Sequence, residues 1–328
     1  MTSYRTDHGK DPFLRTIRFV ADRWRRQWRL ASAMAVGLVL IAAAELALPL
    51  FAGHLVDALA GAAGSHDAAL SSALAAFAAI GGLGVALVAL RYGVFRGIIC
   101  FTLRMMNDVA CESFWRVQRF STDWHANSFA GSTVRKLSRG MWAFDLLNDT
   151  VLVALWPSLI VLLGATFLFS WHWPLMGLAV GTGSLLYVLA TVKLSLDYVT
   201  PATRNSNIWD SRLGGALADA VSCSPVVKAF GAEIREDARL GRVLARWRTR
   251  TWVSWNRHVV TGVAQQAILM VLRVVVIGLA MLFWWQGEAT LGDVTFVLTA
   301  YGVINGYLRD VGYHVHNIQK STSDLKEL

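Results

Sequence analysis

Alternate stretches of this 328-residue chain contain no positive charge, although 31 Lys and Arg residues are present elsewhere. Residues 52–73, 170–173 and 286–290 have none, while 1–30 and 91–150 hold eight each and 193–257 hold eleven. Charged residues of either sign make up only 16% of the chain. That is too few for a water-soluble fold of this size, where about 25% is usual. Three cysteines, Cys100, Cys111 and Cys223, are too few and too scattered for a disulfide framework or a metal site. No G-x-x-x-x-G-K-[ST] loop occurs, and Gly81-Gly-Leu-Gly84 lies in an apolar run without a following Lys. The chain therefore lacks the usual phosphate-binding loop. Neither a zinc-finger spacing nor a nucleic-acid-binding motif accompanies the net charge of +9. Nucleic acid is not an expected partner, and anionic lipid headgroups suit that charge better.

Hydrophobic residues fill the space left by the missing charge, at 55% of the chain. They form runs at 31–51, 74–90, 151–169, 174–194, 259–285 and 291–308. Each is long enough to cross the roughly 30 Å hydrocarbon layer as helix, at about 1.5 Å per residue. Basic segments stay on the cytoplasmic side of a membrane, so the charge-free connections lie outside. The pattern predicts six transmembrane helices in the inner (plasma) membrane, with both termini cytoplasmic. Trp171 and Trp173 at one outer hairpin, and Trp284 and Trp285 at another, fit an aromatic belt. The cysteines fall in cytoplasmic segments and are expected to be reduced. The first apolar run follows thirty polar residues and reads as a retained span, not a cleaved signal.

Within residues 1–30, Phe13, Ile17, Val20, Trp24 and Trp28 recur at helical spacing. Arg15, Arg18, Arg25, Arg26 and Arg29 take the other side. This cytoplasmic N-terminus reads as an amphipathic helix in the membrane interface, aromatics in lipid and arginines among headgroups; the alternative is a disordered basic tail. The two long inside connections, each about 60 residues, keep helical phase. Leu103, Met106, Ala110, Phe114 and Val117 do so in the first; Leu213, Leu217 and Val221, then Phe230, Ile234 and Trp247, do so in the second. Gly and Pro are scarce there, so the helices are expected to run some 30–40 Å past the membrane and turn back. Ser224 as N-cap and Pro225 at the first helical position predict a helix restart after the second turn.

Several segments resemble a known family in order and spacing. Asp219-Ala-Val-Ser-Cys-Ser-Pro-Val-Val-Lys-Ala-Phe-Gly-Ala-Glu233 resembles the segment that follows the fourth span of ABC exporters. Trp124-His-Ala-Asn-Ser-Phe-Ala-Gly131 with Lys136-Leu-Ser-Arg139 is similar to the turn after their second span. Leu48-Pro-Leu-Phe-Ala-Gly-His-Leu-Val-Asp57 is similar to their first outer corner, and Leu291-Gly-Asp-Val294 to the start of their sixth span. The chain departs from the family at Asp219, usually Glu, at Cys223, often Gly, and at Gly140, commonly Asp.

The resemblance implies an all-α membrane domain of residues 31–320 that pairs with a second six-helix half, as homo- or heterodimer, by exchanging fourth and fifth helices. Residues 321–328 would begin a linker to a nucleotide-binding domain, supplied in cis or in trans. ATP and Mg would be bound there, with no cofactor and no catalytic residue in this chain. Short coupling helices would dock on that domain. The resemblance places them near 132–140, with Ser132, Lys136, Arg139 and Gly140, and near 216–222, with Ala216, Leu217, Asp219, Ala220 and Ser222. A plain solvated turn is the alternative at each.

Polar residues inside the runs suggest a pathway. Gln266, Met270 and Arg273 share a face of the fifth run, and Thr295, Thr299, Gly302, Gly306 and Arg309 form a stripe on the sixth, with Asn305 beside it. A charge at mid-membrane costs roughly 2.5–3.5 kcal/mol on insertion scales, so Arg273 needs either a cavity or a partner. Glu45 of the first run is the candidate partner, and close helix packing is the alternative for the small residues. An unpaired Arg273 favours an anionic, amphiphilic cargo. His172, His314 and His316 read as interface residues rather than ligands. The implied function is the substrate-conducting part of an ATP-driven exporter. A stand-alone channel or scaffold is the alternative, and no residue cluster supports a membrane-embedded enzyme.

Overall fold

The computed structural model describes the backbone of residues 12–61, 66–127 and 130–327, with their side chains apart from those of 12–17, 66, 68, 126, 127, 130, 132, 326 and 327. Helices account for nearly all of it, and no strand occurs among the described residues. In chain order they are α1 (Pro12–Arg26), α2 (Trp28–Ala60), α3 (His66–Val117), α4 (Thr122–Asn127), α5 (Ala130–Asn148), α6 (Trp156–His172), α7 (Pro174–Lys193), α8 (Thr200–Ser222), α9 (Ser224–Ala229), α10 (Glu233–Trp285), α11 (Leu291–Arg309) and α12 (Val311–Glu327). Wider π-helical segments, Asp149–Leu155 and Leu194–Val199, join α5 to α6 and α7 to α8. Each precedes a proline, Pro157 or Pro201. A proline cannot donate to the carbonyl four residues back and its ring crowds that turn, so a widened turn just before it relieves the clash.

Five helical stretches are long and apolar enough to cross a membrane: Trp28–Ala60, Ala69–Val117, Thr133–His172, Pro174–Ser222 and Glu233–Trp285. The sixth expected span corresponds to α11, a 19-residue helix that falls outside that group. The arms extend as their phase predicts. At 1.5 Å per residue the 52 residues of α3 and 53 of α10 are each about 80 Å long, well beyond a bilayer. The outer connection after the first span is shorter than its charge-free length suggests, because α2 continues to Ala60 and α3 starts at His66.

The chain forms two compact units. The first, residues 1–184 and 272–328, holds the core. Phe101, Met105 and Val109 of α3 pack with Phe144 of α5, Met34, Leu38 and Ile41 of α2, and Val20 of α1. Elsewhere in this unit Phe169 of α6 meets Phe296 of α11 at 5.3 Å, and Trp173 stacks on Phe283 at 6.0 Å. The second unit, residues 185–271, is an antiparallel helical pair closed by α9. Its seam is polar: Ser206 pairs with Thr251 at 3.0 Å, Thr203 with Ser254 at 3.2 Å, and the Trp247 indole donates to Asp210 at 3.2 Å. The Arg257 guanidinium donates to the Tyr198 carbonyl at 2.8 Å and lies over its ring. Small hydroxyl side chains let the two backbones approach and satisfy one another.

The N-terminal helix departs from expectation. Its apolar side faces protein. The Trp24 indole donates to Asn148 at 3.1 Å and meets Phe101 edge-on, and Asn148 in turn donates to Thr102. Arg23, on the same side, is buried, lies 3.4 Å over the Phe19 ring and pairs with Glu112 at 2.6 Å. Burial holds the Arg23 pKa below its ordinary value, with Glu112 opposing. Trp28 alone of the described aromatics in that series stays exposed, and the side chains of Phe13, Arg15 and Ile17 lie outside the described residues. Asn148 and Glu112, far off in sequence, offer this face a satisfied packing surface that a local helical pattern cannot show.

Candidate functional site

Helix α4 begins just before the Trp124–Gly131 segment, and α9 lies within Asp219–Glu233, the two stretches that carry the resemblance. In the first unit the described chain leaves helix at residues 118–121. The Ser121 hydroxyl accepts the Trp124 amide at 3.2 Å, starting α4, and Trp124 packs on Phe120 at 4.6 Å. Lys136 and Arg139 are exposed and Gly140 buried along α5, past the turn; the Ser132 side chain is outside the described residues. Residues 130–148 contain no proline, and α5 runs through them as one helix.

In the second unit the turn is α9. The expected residues Ala216, Leu217, Asp219, Ala220 and Ser222 occupy the last turns of α8, with Leu217, Asp219 and Ser222 exposed. The helix restarts at Ser224, with Cys223 at the cap position and Pro225 in the first turn, one residue off the sequence expectation. Gly231 then takes φ of +55°, a conformation suited to glycine, while the amide of Ala232 bonds the carbonyl of Val227 at 3.0 Å and α10 begins. Asp219 faces Arg239 of α10 at 3.6 Å. Around this reversal Val221, Val226, Phe230 and Ile234 are exposed, Phe230 by 81% and Ile234 by 85%. Large apolar side chains clustered in the open at the tip of a helical arm mark an interaction surface.

In the membrane part of the first unit, Glu45 is buried and fully engaged. It forms an ion pair with Arg91 of α3 and accepts the Tyr307 hydroxyl of α11 at 2.6 Å. Pro49, one turn on, lacks the amide that would bond the Glu45 carbonyl. Glu45 therefore joins three helices and is not the partner of Arg273. Arg273 is exposed and forms no ion pair among the described residues. Gln266 and Met270, on the same helix, are also exposed. On α11, Phe296, Val297, Ala300, Ile304 and Leu308 are buried, while Thr299, Gly302, Gly306 and Arg309 face outward; Thr295 and Asn305 are half-buried. The Thr299 hydroxyl bonds back to the Thr295 carbonyl at 2.7 Å, and Arg309 pairs with Asp310 at 3.4 Å. His314, beyond α11, is half-buried, and that burial lowers its pKa, with Asp310 opposing.

Two of the motifs that carry the resemblance meet where α2 ends and α11 begins. Asp57 accepts the Gly292 amide at 2.7 Å and the Thr290 hydroxyl at 2.8 Å. Thr290 and Asp293 complete a reciprocal cap on α11. Gly53 and Gly292 allow the backbones to touch: a Cβ on Gly53 would stand 2.7 Å from the Gly292 carbonyl oxygen.

Residues 32–308 match the model of the ABC transporter transmembrane region. The chain belongs to that family. It is a multi-pass membrane protein, as its five apolar helices also indicate. Curated relatives of this ABC membrane chain include an ATM1-type heavy metal exporter of Novosphingobium aromaticivorans, 26% identical over 95% of this chain and 52% of that protein. Heavy metal tolerance factor 1 of Caenorhabditis elegans is 22% identical over 67% of this chain and 28% of its own length. Among solved structures, a bacterial Atm1-family ABC exporter with ATP bound superposes with a TM-score of 0.72, at 24% identity, over 90% of this chain and 52% of that one. That likeness establishes the fold. The chain thus spans about half the length of the exporter and of the solved neighbour that it matches.

Proposed function

We propose that this ABC membrane chain is the substrate-conducting half of an ATP-driven exporter, moved by nucleotide-binding domains in cis or in trans. The observation that carries this reading is the exposed apolar cluster Val221, Val226, Phe230 and Ile234 around α9, at the tip of a helical arm far longer than a bilayer. A solvated turn has no use for it. A docked domain would cover it, and α4 with Phe120 and Trp124 is the corresponding surface of the first unit. ATP and Mg would sit on the docked domain. Closure of two such domains would drive the arms of paired halves together and switch the pathway from inward to outward facing. The reading carries with it six spans, cytoplasmic termini, the plasma membrane, and a dimer with exchanged fourth and fifth helices.

The cargo side of the pathway includes Arg273 of α10 and the outward stripe of α11. An Arg fork favours carboxylate or phosphate, so the cargo is an anionic amphiphile. The relatives named for heavy metals suggest that such a cargo can include a metal, and Arg273 then favours one wrapped in anionic ligands. ATP-dependent uptake into inside-out vesicles containing the chain with its nucleotide-binding domain tests this. Anionic amphiphiles should accumulate and cationic ones should not. Equal uptake with and without a hydrolysis-competent domain would leave a channel as the better reading.

A further inference from the structure

Where α2 and α3 lie side by side near α1, they leave an open apolar groove of about 490 Å³. Its floor is made of small residues, Ala33 and Gly37 from α2 and Ala89, Gly93 and Gly97 from α3, with Leu30 at one end. A Cβ on Gly93 would meet no side chain or facing backbone within 4 Å, whereas Gly37 and Gly97 pack against Val94 and Met34 of the facing helix. The volume falls in the ~300–1,000 Å³ range of small-molecule sites. The groove's flanks are of one chemical kind. Beside Leu30 stand Trp28 and Arg29, both exposed, the guanidinium 5.8 Å from the indole. Beside Gly93 and Gly97 stand Tyr92 and Arg96, also exposed, with Arg96 donating to the Tyr92 hydroxyl at 3.0 Å. Exposed Arg25 and Arg26 of α1 add further charge at the same end.

Arg29, one turn before Ala33 on α2, and Arg96, one turn after Gly93 on α3, are exposed on the groove's sides of their helices, beside a slot with no ionisable lining, a layout that suits an anionic phospholipid. Aromatics of this kind sit at headgroup level and arginines attract the phosphate, while the slot has the apolarity of an acyl chain. We propose that this groove binds an anionic phospholipid, one acyl chain lying over Gly93 and the phosphate held by Arg29. A second copy of the chain also fits grooves of small residues in principle. Charge complementarity selects the lipid. The site is independent of whether the protein exports anything.

Native mass spectrometry of the intact protein, titrated with phosphatidylglycerol or with phosphatidylcholine of the same chains, tests the proposal. The wild type should hold one phosphatidylglycerol in preference to phosphatidylcholine. Gly93→Leu, which fills the slot, should lose it, and Ala33→Phe should do the same from the other wall should the first variant fold poorly. Arg29→Gln should weaken phosphatidylglycerol about fivefold, the effect of one basic residue at an anionic surface, and leave phosphatidylcholine unchanged. Gly81→Leu, on the same helix and in equally open space but outside the groove, should change neither. Unchanged phosphatidylglycerol binding in both slot-filling variants, or equal affinity for the two lipids in the wild type, would overturn the proposal. A shift in the monomer–dimer ratio of the slot-filling variants with lipid binding intact would overturn it in favour of a second copy.

Discussion

The Asp57 carboxylate accepts the Gly292 amide at 2.7 Å across 235 residues of chain, so the C-terminal end of α2 caps the start of α11. The same carboxylate takes the Thr290 hydroxyl, and the two helices touch through Gly53 and Gly292. First and last long helices of the domain are thereby tied at one end. Replacing Asp57 by Ala removes the cap and should cost about 1–2 kcal/mol, seen as a lower unfolding temperature in detergent. Gly53→Val should cost more, because its Cβ collides with backbone that cannot give way. An unchanged melting curve for both would show that this corner is not a structural tie.

Glu45 and Arg273 should separate cleanly. Glu45→Gln leaves Arg91 without its counter-ion and weakens the link to Tyr307, and is expected to cost about 2–3 kcal/mol. That is less than the ~3–5 kcal/mol of a wholly buried pair, because Arg91 is partly exposed. Arg273→Gln should leave thermal stability unchanged and lower transport of anionic cargo selectively. Loss of stability in Arg273→Gln would make that arginine structural and remove the ground for an anionic substrate.

Arg23 and Trp24 hold α1 against α3 and the end of α5. The double variant Arg23→Ala, Trp24→Ala should free α1, so that trypsin cleaves at Arg25 or Arg26 severalfold faster while the rest of the chain stays protected. Cleavage at the wild-type rate would mean that other contacts fix this helix.

Much of this was legible in the sequence, and the remainder has definite physical causes. The apolar runs marked the long membrane helices, and helical phase through Met106, Val117 and Leu213 gave the long arms. Pro225 announced the restart of α9 to within one residue. Trp124 falls inside the short helix α4, as the turn-like segment around it suggested. Arg91 counted as a charge of the cytoplasmic segment, yet its long side chain reaches Glu45 on a neighbouring helix. Such reach is invisible in a count of residues. The widened turns before Pro157 and Pro201 had a signal in those prolines, which the apolar character of the flanking runs concealed.

The coupling surface is tested most directly by measuring ATP hydrolysis and cargo uptake together, in proteoliposomes holding the chain and its nucleotide-binding domain. The variant is Phe230→Asp with Val226→Asp, which makes the exposed cluster at α9 polar and touches no buried residue. The account predicts that the variant keeps its helical content and melting temperature, that ATP hydrolysis continues, and that uptake per ATP falls at least tenfold. Full uptake per ATP in this variant would contradict the claim that α9 is where this protein receives its driving force.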